Sequence, residues 1–148
     1  MELFTSRYQA GNLIMSNGGI PVQTSNGHPK FPMKYTIKAM APLLVPSRFT
    51  LGQPDGVFKA KYEEQLERHG VDAIRRQLQE IVDRTGNEKL ILLCFENVWN
   101  DGEKACHRRQ FAEWWNIKTG ETVLELPDPG FKPVEKGPKD GSFQPSLF

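Results

Sequence analysis

The apolar and polar positions of this chain change period along its length. Residues 2–8 alternate, with Leu3, Thr5 and Arg7 on one side and Phe4, Ser6 and Tyr8 on the other. That is the pattern of a half-buried strand. From Gly11 to Pro32 the pattern dissolves into Gly, Asn, Ser and Pro, with Ser16-Asn17-Gly18-Gly19 as a turn signal. The IPVQT stretch at 20–24 reads as a short strand returning from that turn. Residues 34–45 predict another strand, interrupted or ended at Pro42.

Helical spacing then takes over. Phe58, Tyr62 and Leu66 recur every four residues, and Gly70 follows as a stop. In the next segment Val71, Ile74, Leu78, Ile81 and Val82 share one face, closed by Gly86. Arg75 and Arg76 of that segment read as solvated. Lys89–Phe95 is an almost unbroken apolar run of strand length, suited to the centre of a sheet covered on both faces. A helix over about residues 104–118 and a strand at 121–126 complete a βαβ unit. Beyond Pro127 the chain is rich in Pro and Gly, an extended or disordered tail in which Phe131, Phe143, Leu147 and Phe148 offer anchors. The expected organisation is one compact α/β domain over residues 1–127, with a mixed or parallel sheet, flanking helices and a Rossmann-like βαβ unit in its C-terminal half. Residues 128–148 form the tail.

Composition alters this picture little. The chain has 148 residues, 38% apolar and 25% charged, with a formal net charge of +1. A chain of that size buries a core without staples. The charge balance excludes a polyelectrolyte coating nucleic acid at large, so any such site is a local patch. Cys94 and Cys106 are too few for a disulfide framework, with one bridge left open, and Cys94 lies in the apolar strand as a reduced thiol would. With no secretory pattern at the N-terminus and no apolar run near the roughly 20 residues of a spanning helix, a cytoplasmic protein without a membrane association is expected.

The chemistry gathers where the central strand meets the following helix. Sites in open α/β sheets lie at the carboxyl ends of strands, beside helix N-termini. Glu96 stands at that end of the strand, and Cys106-His107-Arg108-Arg109 opens the helix. A helix N-terminus favours an anion or a thiolate, and an imidazole with guanidinium groups strengthens the case for a phosphate or carboxylate ligand. At 100° per residue, Ala105, Phe111, Ala112 and Trp115 form the apolar face with Arg108 at its middle, reaching toward Glu96. His107 borders that face, while Arg109 and Glu113 fall outward. Trp114 and Trp115 read as core aromatics. If the first strand runs parallel beside the central one, Ser6, Arg7 and Tyr8 line the same crevice.

Several sharper motifs fail. A phosphate-transferring thiol loop needs Arg six residues after Cys106, where Ala112 stands. The spacing of Cys94, Cys106 and His107 suits no zinc site, and His28 and His69 complete no pattern. Neither a phosphate-cradling glycine loop nor a GxSxG elbow is present. No metal or cofactor is implied.

The stretch Leu92-Leu93-Cys94-Phe95-Glu96, followed by Cys106-His107-Arg108, Phe111-Ala112, Trp114-Trp115 and a strand ending Glu125-Leu126-Pro127, resembles the family catalogued as domain of unknown function 488. Thr5-Ser6-Arg7-Tyr8, Pro29 with Phe31, and Ala41-Pro42 extend the resemblance over most of residues 1–127. The resemblance implies a compact α/β domain, found in bacteria, archaea and phages, with its polar residues at one end of the sheet. It implies work around nucleic acids or modified bases, with no settled reaction. Its motif points to Glu96, Cys106, His107 and Arg108, and after them to Ser6, Arg7 and Tyr8. One expectation is an enzyme on a nucleotide, nucleoside or nucleic-acid base, with Glu96 as nucleophile or base, His107 moving a proton and Arg108 holding charge. Others are a binding module for the same ligands, and a phage–host interaction protein with a partner on the tail or on the Trp114–Trp115 pair.

Overall fold

The computed structural model describes residues 1–95 and 107–127. The expectations for Glu96, Cys106 and the tail therefore lie outside the described residues. Five strands form one parallel sheet: β1 (Glu2–Arg7), β2 (Ile20–Gln23), β3 (Ala39–Met40), β4 (Lys89–Cys94) and β5 (Val123–Glu125), in the order β3-β2-β4-β1-β5. The helices are α1 (Gly11–Asn17), α2 (Asp55–His69), α3 (Val71–Thr85) and α4 (His107–Thr119). Among the described residues no helix is long and apolar enough to cross a membrane.

The α/β expectation holds, and every pairing is parallel. Central β4 is buried along its apolar run because both its faces are covered. On one face Leu3, Val22, Leu90, Leu92 and Val123 meet α2, α3 and α4 through Tyr62, Leu78, Phe111 and Trp115. On the other face, Ile91 and Leu93 meet Ile14 of α1, with Phe31, Tyr35 and Ile37 alongside. Each helix end needs a turn that frees the chain. Gly70, the sole residue between α2 and α3, sits at φ 86°, ψ 156°, a region open in practice to glycine alone. Gly70→Ala is expected to cost about 1–3 kcal/mol, read as a lower urea midpoint at unchanged slope.

Differences from the sequence reading have local causes. Helix α1 lies inside the stretch read as loop; its seven residues bury only Ile14, so no periodicity announces it. The strand expected over 34–45 shrinks to Ala39–Met40, followed by a 3-10 turn at Pro42–Leu44. Ahead of it, exposure alternates residue by residue from Phe31 to Lys38 without a strand ladder. Strands β4 and β5 are not neighbours, since α4 carries the chain over β1, which pairs with both.

The connections set the site. Those leading from β1 to β2 and from β2 to β3 run toward the β3 edge, and their apolar residues pack on the α1 face. The β3–β4 and β4–β5 connections run the other way, over the α2–α4 face. This assignment of direction to face is what a single crossover hand requires. Neighbouring β2 and β4 thus send their connections in opposite directions, and the crevice opens at their carboxyl ends. Helix α2 lies alongside α4 in the same direction. Gln110 Nε2 donates to the Lys59 carbonyl (2.7 Å), and Trp114 Nε1 donates to Glu67 Oε2 (3.0 Å). Both helices therefore begin at this end.

Candidate functional site at the carboxyl ends of the strands

The first turn of α4 is fastened to three strand ends by two side chains. His107 reaches the end of β2: its Nε2 lies 2.7 Å from the Thr24 carbonyl oxygen and 3.1 Å from Thr24 Oγ1. A carbonyl only accepts, so Nε2 carries the proton. Thr24 Oγ1 spends its own hydrogen on the Leu93 carbonyl of β4 (2.8 Å), leaving its oxygen as a second acceptor for the imidazole. The Tyr62 ring meets the imidazole edge-on at 5.7 Å. Held this way, the imidazole keeps its Nε2–H turned to Thr24.

Arg108 reaches the other strands. Its Nε donates to Glu125 Oε1 at 3.0 Å and its Nη2 to Oε2 at 2.8 Å, a two-pronged pair with β5. Nη1 donates to Cys94 Sγ of β4 at 2.8 Å, and Thr5 Oγ1 of β1 donates to Glu125 Oε1 at 2.7 Å. The residue is 2% exposed. The sequence put Arg108 on the buried face, where it is found. Among the described residues it pairs with Glu125; the expected pairing with Glu96 lies outside them. A guanidinium so enclosed and neutralised by Glu125 fixes the helix on the sheet.

On the opposite face a second polar layer forms. The Tyr8 hydroxyl donates to Ser25 Oγ at 2.7 Å, because Ser25 Oγ gives its hydrogen to the Gly27 carbonyl at 2.8 Å. Gln23 Nε2 donates to the Ser25 carbonyl at 2.7 Å, and Gln23 Oε1 lies 3.3 Å from His28 Nδ1. Tyr35 Oη donates to the Tyr8 carbonyl at 2.7 Å. Burial, and after it the neighbouring Tyr8 hydroxyl, push the Tyr35 phenol above its ordinary range. The Tyr8 ring lies 4.7 Å from that of Phe95, which is partly exposed at the end of β4. Ser25→Ala is expected to cost about 1 kcal/mol by removing the hydrogen bond between the Tyr8 hydroxyl and Ser25. A double-mutant cycle with Tyr8→Phe in urea measures the coupling of the pair.

The expected site residues are thus distributed over two layers. His107 and Arg108 stand side by side on the α4 face. Tyr8 belongs to the other layer, buried and bonded, with an aromatic neighbour. Ser6 is buried within β1 opposite Leu93, and Arg7 ends the strand opposite Cys94. Since β1 does run parallel beside β4, these strand-end residues share the carboxyl end of the sheet. Trp114 and Trp115 are core residues. Sequence reasoning missed Thr24, Ser25, Gln23 and His28, whose loop carries no motif. Glu125 did carry a signal: it shares a strand face with core Val123, and an inward acid calls for a buried cation.

Comparison of the chain with protein-family models, curated proteins and solved structures returned no match.

Proposed function

We propose that the mouth between β2 and β4 recognises a nucleotide, nucleoside or nucleic-acid base. The observation that carries this reading is the seating of His107 at the point where the connections of β2 and β4 diverge. It is flanked by the hydrogen-bonding loop at 23–28 and by the Tyr8–Phe95 aromatic pair. A planar, hydrogen-bonding ligand uses such a place: an aromatic face to stack on, amide and hydroxyl groups to read its edge, and a helix N-terminus for its phosphate. Arg108 acts here as a positioning residue, since its guanidinium is occupied by Glu125 and Cys94. Membership of the domain of unknown function 488 family, on the motifs around Leu92–Glu96 and Cys106–Arg108, is part of the same reading.

Calorimetric titration with nucleosides, nucleotides and modified bases tests it. Saturable binding that weakens in Phe95→Ala and Gln23→Ala, both still folded by circular dichroism, supports the site. Absence of binding across the panel removes it.

A catalytic reading stands second, favoured by the juxtaposition of imidazole and guanidinium in one helical turn. In it Glu96 is nucleophile or base, Cys106 contacts the substrate and His107 moves a proton. Product formed by the wild type and lost in Glu96→Gln selects this reading; binding without product selects recognition.

A further inference from the structure

One face of the sheet is covered unequally along its β5 edge. Phe4 of β1 stands opposite Leu124 of β5. The alternation that turns Leu3 and Val123 to the α2–α4 face turns Phe4 and Leu124 to the α1 face. Leu126, the next residue of β5 to point that way, is 8% exposed, whereas Leu124 is 50% exposed and Phe4 only partly buried. The face is therefore closed at the carboxyl end of β5 and open toward its amino end. A groove of about 310 Å³ lies there, lined by Glu2, Phe4, Thr122 and Leu124, with Met1 and Glu121 at its amino end. An apolar strip on an edge strand invites other chains to pair or stick, and proteins keep such strips covered.

The chain carries a cover of its own. Leu126 ends the ladder on this face, its amide donating to the Thr5 carbonyl at 2.8 Å, and Pro127 follows at the surface. Asp128-Pro129-Gly130 comes next, and proline followed by glycine is the signature of a chain-reversing type II turn. Phe131 is the first large apolar side chain beyond it. From Pro127 to Phe131 the chain spans at most about 14 Å, while Leu124 lies about 10 Å back along β5 from Pro127. A reversed chain thus brings the Phe131 ring over Phe4 and Leu124, into a space ample for one phenyl group. Lys132 then arrives at the end of the groove that carries Glu2 and Glu121. Ring meets apolar floor, and ammonium meets carboxylates.

We propose that residues 128–134 fold back over the α1 face of β1 and β5, with Phe131 seated in the groove, as an intramolecular cover for this edge of the sheet. The cover runs away from the carboxyl ends of the strands, so it is independent of the reading of the mouth as a nucleotide site. It gives the Pro- and Gly-rich segment a fixed start on the body of the protein, and it occupies the apolar strip that would otherwise meet a second copy.

Timed chymotrypsin digestion of the full chain, read by mass spectrometry, tests it. The rate of cleavage after Phe131 is compared with that of the same bond in a free synthetic peptide of residues 128–148. The bond in the protein is expected to be cut slower by on the order of tenfold or more, because the protease reaches only the undocked population of a buried ring. Leu124→Asp, a change at a half-exposed position, is expected to return the rate to that of the peptide. Leu124→Thr, which keeps a strand-forming residue, is expected to move it in the same direction. Glu2→Lys is expected to speed cleavage at low salt and to have little effect at high salt. A wild-type bond cut as fast as in the peptide overturns the proposal, and so does protection that survives both Leu124 variants. Sedimentation at rising concentration reads the competing occupant: a dimer that Leu124→Asp dissolves assigns the groove to a second copy and also overturns the proposal, whereas a monomer with a protected Phe131 supports it.

Discussion

Arg108→Ala is expected to lower folding stability by about 3–5 kcal/mol, the usual cost of stranding one partner of a buried ion pair. The guanidinium is fully enclosed, and the Glu125 side chain is 15% exposed, so water recovers little of the lost hydrogen bonding. Its removal takes a donor from each carboxylate oxygen and one from Cys94 Sγ, while Thr5 Oγ1 still donates to Glu125 Oε1. The urea midpoint falls at constant slope if folding stays two-state. Arg108→Lys is not a rescue, because an ammonium cannot span both carboxylate oxygens. Arg108→Met with Glu125→Leu is expected to regain much of the loss, since an apolar pair of similar volume removes both uncompensated charges. A loss near that of a surface pair, under about 1 kcal/mol, would contradict the assignment of Arg108 as the pin of α4.

Trp115→Ala is expected to cost a comparable amount, about 3–5 kcal/mol for an aromatic truncated in a close-packed core. The ring is wholly buried against Phe111 and Trp114, with centroids at 5.4 and 6.4 Å. Its Nε1 donates to Glu121 Oε1 at 3.1 Å, and the Arg75 guanidinium lies 5.0 Å over the ring while pairing with Glu121 at 3.0 Å. Truncation therefore opens a cavity and unties the turn leading into β5. Trp115→Phe fills most of the space and is expected to cost less. Because Trp115 and the first turn of α4 belong to one rigid helix, the alanine variant is also expected to weaken nucleotide binding at the mouth. Calorimetry on the folded fraction checks this; unchanged affinity would uncouple the helix core from the site.

How much of this was legible depended on whether neighbours in sequence are neighbours in space. The helices α2 and α3 were read from apolar positions, and α3 ends at the glycine expected of it. Arg75 read as solvated; it does lie partly exposed, but on Trp115 and Glu121, a partnership that only the fold creates. The burial of Arg108 followed from helical angles alone. The identity of its partner did not, because Glu125 reaches it through β5, on the far side of β1. Likewise Thr24 meets His107 across 83 positions of sequence, and nothing local to a threonine after a short strand announces that contact.

The chain by itself determined an α/β fold, the burial of β4 on both faces and the face on which α4 carries its charged first turn. Those properties follow from periods of two and 3.6 residues, which are local. Only the tertiary structure decided that β1 lies between β4 and β5, that connections diverge at β2 and β4, and that His107 and Arg108 are each held by a different strand. Strand order arises from how layers cover one another, and buried polar groups take whichever partners that order delivers.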